Sequence, residues 1–321
     1  MIAVTGAAGF IGSAFLWKLN AEGQTDILAV DERNILDREK NLSNKKFSEY
    51  MDKDEFLTRA RMNSLPDRLN AIVHIGACSS TTETDAEFLW RNNTDYTRVL
   101  AEWCLAHRAR FLYASSAATY GEGEEGYDDS DENTRRLKPL NLYGKSKQDF
   151  DLLALDKGWL HTIAGFKFFN VYGPNEYHKG DMRSIIAKSF DAVVKERKIR
   201  LFKSYRPAYP DGGQKRDFVY VKDAVDAVWY FLEHPDKNGL FNIGTGQART
   251  WNDLAAALFT ALGIPLNIEY IEMPHTLRDK YQYFTEAKLD KLMSAGYVRP
   301  FTPLEAGVKD YCGYLQNKNV L

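Results

Sequence analysis

Thr5-Gly6-Ala7-Ala8-Gly9-Phe10-Ile11-Gly12 is the stretch whose reading decides the fold. The apolar run Ile2–Val4 leads into it, and from Phe10 to Glu22 apolar residues recur at three- and four-residue steps. A strand, a glycine turn and a helix thus follow one another, the context that a phosphate-binding loop requires. Glycines at Gly6, Gly9 and Gly12 permit a tight turn and let the backbone approach a pyrophosphate whose charge rests on the helix N-terminus. A plain connecting turn has no need of three glycines, each of which costs conformational entropy on folding.

Outward from the loop the same rhythm continues. Further strands are expected at Asp26–Val30, Ala71–His74, Arg110–Ala114 and Thr162–Phe168, with helices at Glu83–His107 and Tyr143–Lys157. Strands alternating with helices predict an α/β fold with a doubly wound parallel sheet. After about Pro174 the rhythm loosens, and Pro207–Gly213 (PAYPDGG) is dense in turn formers. A second, smaller domain of mixed α/β elements is expected there. No internal repeat and no low-complexity tract interrupts the chain.

The 321 residues suit about two domains. Forty-four per cent are hydrophobic and 27% charged, an ordinary globular composition that argues against disorder or coiled coil. The net charge of −2 lacks the broad basic field on which nucleic-acid affinity depends. Cys78, Cys104 and Cys312 are odd in number and lack metal-ligand spacing, so free thiols and no metal are expected. The N-terminus has no leading Lys or Arg before its glycines, and no 18-residue apolar run occurs. A cytoplasmic protein without membrane association is expected. Two blocks depart from the neutral average. Glu122–Glu132 carries seven acids and no base, which reads as a mobile, solvated loop, and Lys195–Arg216 carries eight bases against Glu196 and Asp211.

Nineteen residues after Gly12, the second strand ends in Asp31, where a carboxylate would accept a hydrogen bond from a ribose 2′-hydroxyl. Glu32 beside it repels a 2′-phosphate and favours NAD, while Arg33, Arg38 and Lys53 supply counter-charge for NADP. The residues alone leave both cofactors open. Farther on, Tyr143 and Lys147 stand four apart and share one helical face. An ammonium beside a phenol stabilises the phenolate, so Lys147 is expected to bring Tyr143 toward use as a base. Ser116, at the C-terminal edge of its strand, is placed to hydrogen-bond a substrate oxygen.

The series TGAAGFIG, YASSAATYG, YGKSK, FNVYGP, RDFVYVKD and FNIGTG, running in order from residue 5 to 246, resembles the extended short-chain dehydrogenase/reductases that act on nucleotide sugars. Within that superfamily, Gly76–Glu83 (GACSSTTE), Asn92-Asn93, Glu176–Gly180 (EYHKG) and Tyr281–Thr285 (YQYFT) are similar to the ADP-L-glycero-D-manno-heptose 6-epimerase family. The resemblance implies a Rossmann-type sheet and inversion of C6 of the heptose through a transient ketone, with NADP held tightly. It makes Tyr143 and Lys179 the two bases, with Ser116 and Lys147 assisting. It places the cofactor against Gly6, Gly9, Phe10, Ile11, Gly12, Asp31, Glu32, Arg38, Lys53, Ile75, Gly76, Ala77, Cys78, Ser79, Asn92, Lys147, Val171 and Lys179. It places the sugar nucleotide against Ser116, Asn170, Asp181, Lys188, Phe202, Lys203, Ser204, Tyr205, Arg216 and Tyr281, so that the basic block neutralises a diphosphate. Asp181, Glu32 and Ile75 stand where the family pattern has serine, asparagine and an acid.

The same resemblance implies a homo-oligomer, a pentamer, and a division into residues 1–170, which hold the dinucleotide, and 171–321, which hold the substrate, with about 216–240 crossing back. A 4-epimerase or 4,6-dehydratase acting on another nucleotide sugar is the alternative. Dehydratases carry an acid pair after the strand-end serine, and here Ala117-Ala118-Thr119 follow. A binding protein that had lost catalysis would lack the tyrosine or the lysine, and both are present.

Overall fold

A computed structural model describes residues 1–278 and 281–321. Its strands are, in order, β1 (Ile2–Thr5), β2 (Ile27–Asp31), β3 (Glu49–Asp52), β4 (Ala71–His74), β5 (Arg110–Ser116), β6 (Ala164–Phe168), β7 (Asn170–Tyr172), β8 (Ile199–Phe202), β9 (Lys215–Tyr220), β10 (Gly239–Ile243), β11 (Ala248–Thr250) and β12 (Ile268–Ile271). Seven form one parallel sheet in the order β10-β6-β5-β4-β1-β2-β3. The five strands expected from the sequence are all in it. The two additions are β3, which is short and mostly polar, and β10, which returns to the edge from the second half of the chain.

Alternation along the strands explains the double winding. Val4, Ala29, Val73 and Leu112 point to one side, into a core shared with the helices Phe10–Ala21 and Val221–Glu233. Ala3, Leu28, Ile72 and Phe111 point to the other, against Lys53–Arg61, Tyr96–His107 and Leu142–Asp156. Apolar on both faces, the sheet is stable only when covered on both. The chain leaves β1 toward β2 on one side and returns through β4 on the other, so a crevice opens at the C-terminal ends of these strands.

The smaller elements sit beyond that crevice. β9 pairs in parallel with β7 and antiparallel with β11, while β8 pairs with β12. The segment 216–240 therefore divides: RDFVY (216–220) enters the three-stranded sheet, whereas the helix after it packs on Phe10–Ala21 and β10 joins β6. Among the described residues no helix is long and apolar enough to cross a membrane.

Candidate active site

The crevice is a cleft of about 740 Å³. Its floor is the glycine loop. Gly6 has φ +66°, and a Cβ there would lie 2.7 Å from the Gly76 Cα; a Cβ on Gly12 would collide with the Gly6 carbonyl oxygen. The helix Phe10–Ala21 starts at Gly9 with no side chain capping it, which leaves first-turn amides for an anion. Asp31 fixes the loop from β2, its Oδ2 accepting from the Ala8 amide at 2.8 Å. Thr5 adds a second tie, since its Oγ1 meets His74 Nδ1 at 2.7 Å and accepts from the Gly76 amide at 3.1 Å. Burial pushes His74 down to about 3, so the ring is a neutral brace.

Charge collects at the outer end of this floor. Arg38 Nη2 reaches Asp31 Oδ1 at 3.1 Å and Glu32 Oε2 at 2.9 Å, and Lys53 Nζ reaches Glu32 Oε1 at 3.0 Å. Partial burial of Glu32 is outweighed by these two hydrogen bonds, which hold its carboxyl below the usual range. Arg33 lies 81% exposed and pairs loosely with Asp52 and Glu55 instead.

The wall after β4 is Ile75–Ser79. Asn93 clamps it, accepting from the Cys78 amide at 2.9 Å and donating to the Cys78 carbonyl at 3.0 Å. Asn92 and Asn93 lie in a π-helical stretch, Trp90–Asp95, between the α-helical turns Ala86–Leu89 and Tyr96–His107. Such bulges re-aim side chains and recur at functional sites.

Ser116 ends β5 and accepts from the Ala118 amide at 3.1 Å. Tyr143 lies in the first turn of Leu142–Asp156, which Asn141 caps. Burial raises the Tyr143 phenol, and a hydrogen bond with Ser116 opposes the rise. One turn on, Lys147 Nζ donates to the Ala114 carbonyl at 2.8 Å, and burial lowers it to about 8. Ser116 is the group that hydrogen-bonds the phenol and lowers it here. From a different direction, Lys179 Nζ stands 5.4 Å from the Phe10 ring centroid, in the turn Tyr177–Met182. Burial lowers its ammonium, and Glu176 works against the shift. Beneath Tyr143 and Lys147, on the same helix, Asp151 accepts from Tyr113, Ser115 and Lys167 at 2.6 to 3.0 Å, every partner being buried.

The four residues read as catalytic and all eighteen read as cofactor-binding line this one cleft. Of those read as substrate-binding, only Ser116 and Asn170 do. Arg216 lies beside it on β9, buried between Tyr281 (5.2 Å) and Trp251 (5.8 Å), its Nη2 donating to the carbonyl of Gln282, a cleft residue. Phe202 meets Tyr281 edge-on at 6.3 Å. Lys203 and Tyr205 both bond Glu272, and the Ser204 amide donates to Asp211. Lys188 donates to the backbone carbonyl of Asp181 at 3.2 Å, outside the cleft.

Unread in the sequence were His178, Phe88, Met182, Gln282 and Thr285, all in the cleft walls. His178 and the Gln282–Thr285 run carried a signal, since both fall inside motifs already noted. The acidic run, expected to be a solvated loop, is tied to its surroundings at three residues. Glu122 takes Arg206 at 2.8 Å, Tyr127 donates to the Phe284 carbonyl, and Asp129, 3% exposed, accepts from the Asn242 amide at 2.7 Å.

A glycine loop, a terminal acid on β2 and a Tyr–Lys helix at one parallel-sheet crevice define a dinucleotide-dependent enzyme of sugar nucleotides. Residues 2–244 match the NAD dependent epimerase/dehydratase family, and the chain belongs to that family. It is 55% identical over 311 residues to an ADP-L-glycero-D-manno-heptose-6-epimerase of Nitratidesulfovibrio vulgaris (strain DP4), covering 97% of this chain and 96% of the relative. It is 47% identical over 320 residues to the protein of that name from Fusobacterium nucleatum, with the same coverage. Among solved structures, the Helicobacter pylori ADP-L-glycero-D-manno-heptose-6-epimerase superposes with a TM-score of 0.82 at 27% identity, over 98% of this chain and 96% of that one.

Proposed function

We propose that the chain interconverts ADP-D-glycero-D-manno-heptose and ADP-L-glycero-D-manno-heptose by inverting C6. The observation that carries the reading is one cleft in which a dinucleotide floor meets two proton-carrying side chains, Tyr143 and Lys179, brought in by separate elements. The likeness to curated relatives over nearly the whole chain supports the particular sugar.

A dinucleotide held on the glycine loop, Asp31 and the Ile75–Ser79 wall would supply the hydride acceptor and donor that inversion at C6 requires. Inversion asks the protein for two things: a group that takes the C6 hydroxyl proton as the ketone forms, and a group that returns a proton on the other face. Tyr143 and Lys179 take these roles. Burial moves Lys179 toward neutrality and so toward an effective acid–base range. Tyr143, raised and therefore protonated at neutral pH, is set to donate to the ketone oxygen, and Ser116 steadies that oxygen. Asn170, Arg216 and the aromatic group around Tyr281 hold the sugar nucleotide, with the guanidinium on the diphosphate. Residues 1–170 with the helix and strand of 221–243 form the dinucleotide half, and the remainder forms the sugar half.

The test is incubation of the purified protein with ADP-D-glycero-D-manno-heptose, the epimers being resolved by chromatography. The L-glycero product is expected. Its absence from protein that retains dinucleotide would overturn the assignment, and turnover of a UDP-sugar instead would point to a 4-epimerase.

A further inference from the structure

We propose that Glu32 makes the cofactor site select NAD over NADP. The proposal rests on the reading of the cleft as a dinucleotide site and reverses the cofactor that the sequence resemblance implies. Glu32 directly follows Asp31, the acid that ends β2, and its backbone is fixed: its amide donates to Asp31 Oδ1 at 2.8 Å and its carbonyl accepts from Tyr50 at 2.6 Å. Both side-chain oxygens are engaged, one by Arg38 at 2.9 Å and one by Lys53 at 3.0 Å. Arg38 is shared further with Asp31 and Asp37, and Lys53 with Asn92.

Arg38 and Lys53 are the cleft cations at this end; the other two that line it, Lys147 and Lys179, belong to the catalytic end. They are the charges a 2′-phosphate would need, and carboxylates already hold both. Asp31, Glu32, Arg38 and Lys53 sum to zero. A phosphate monoester carries close to two negative charges at neutral pH, so its arrival leaves the cluster near −2 and forces Glu32 to give up its partners. A 2′-hydroxyl adds no charge and donates to a carboxylate that is already oriented, as at other NAD ribose sites. The discrimination is therefore built from competition for Arg38 and Lys53 and does not rely on a steric block.

The experiment measures dissociation constants of NADH and NADPH by nucleotide fluorescence for the stripped wild-type protein and for Glu32→Gln, at low and high salt. Wild type is expected to bind NADH at least tenfold more tightly. Glu32→Gln keeps the shape, releases Lys53 and takes one of the three carboxylates off Arg38, and is expected to tighten NADPH at least tenfold while NADH shifts less than threefold. The NADPH gain should shrink as salt rises, because the pairs are partly exposed. Equal or tighter NADPH binding by wild type, or an unchanged ratio in the variant, overturns the proposal and leaves the epimerase reading standing. Failure of both nucleotides to bind wild type overturns the dinucleotide reading itself.

Discussion

At the end of the cleft proposed for the dinucleotide the contact surface is largely backbone held by short-range ties, whereas at the end proposed for the sugar it is side chains held by one another. Gly6, Gly12 and the Ile75–Ser79 wall are fixed by close approach and by bonds from Thr5, Asp31 and Asn93. Arg216, Trp251, Tyr281 and Phe202 instead form a group of side chains packed on one another, drawn from four separate stretches of chain. The first construction can recognise only a common chemical form, a pyrophosphate on amides. The second can be rebuilt residue by residue without disturbing the sheet. That contrast suits a family in which one cofactor serves many sugars, and it predicts where variants act on rate or stability and where they act on substrate affinity alone.

The largest effect is expected from Tyr143→Phe, which removes the proton carrier and keeps the ring. Turnover should fall by about 10³- to 10⁴-fold, the upper part of the range for acid–base groups, with dinucleotide affinity unchanged. A loss below tenfold would remove Tyr143 from the chemistry.

Stability should break next at the pair under the catalytic helix. Lys167 and Asp151 are both wholly buried, at 2.8 Å from each other. Lys167→Met leaves Asp151 charged without its counter-ion and should cost about 3–5 kcal/mol, read as a fall in melting temperature. Asp151→Asn added to Lys167→Met removes the stranded charge while its amide oxygen can still accept from Ser115 or Tyr113, and should recover most of it. Failure of the second change to rescue would mean that Lys167 matters for its packing rather than its charge.

These two predictions also mark what the sequence could disclose. The glycine loop, Asp31 and the Tyr143–Lys147 spacing are local patterns, each read within a few residues, and the structure puts all of them in one cleft. The strand β3 escaped because Glu49–Asp52 offers Met51 as its one buried side chain. The π-helical stretch was hidden inside a helical period that it shifts by a single residue. Lys167 sits between Phe166 and Phe168 as an apparent misfit, explained by Asp151 and Thr119, sixteen and forty-eight residues earlier on other elements. The Arg216–Tyr281 contact spans sixty-five residues, and nothing local announces it.

Titration probes the catalytic helix from a third side. Lys147 falls to about 8 through burial, against 10.5 when free. Between those values the unfolded chain binds more protons than the native one, so the penalty of the buried charge fades and stability rises with pH. The gap corresponds to about 3 kcal/mol. In denaturant titrations of dinucleotide-free protein, Lys147→Met should exceed wild type in stability at pH 7, and the difference should narrow steadily toward pH 10. A difference independent of pH would show that the ammonium carries no such cost.

The smallest effect, and the sharpest test of the contrast, is Arg216→Lys at the sugar end. The charge survives, but the planar fork between Tyr281 and Trp251 does not, and lysine can neither stack there nor offer paired donors to a diphosphate. Losing one such interaction should raise the KM for the sugar nucleotide about tenfold, with kcat altered less than threefold. Because, among the described residues, Arg216 is hydrogen-bonded to the cleft lining through the Gln282 carbonyl alone, NADH affinity should not move. A parallel loss of NADH affinity would instead join the two ends into one cooperative unit, and the separation of a fixed backbone floor from an interchangeable sugar wall would fail.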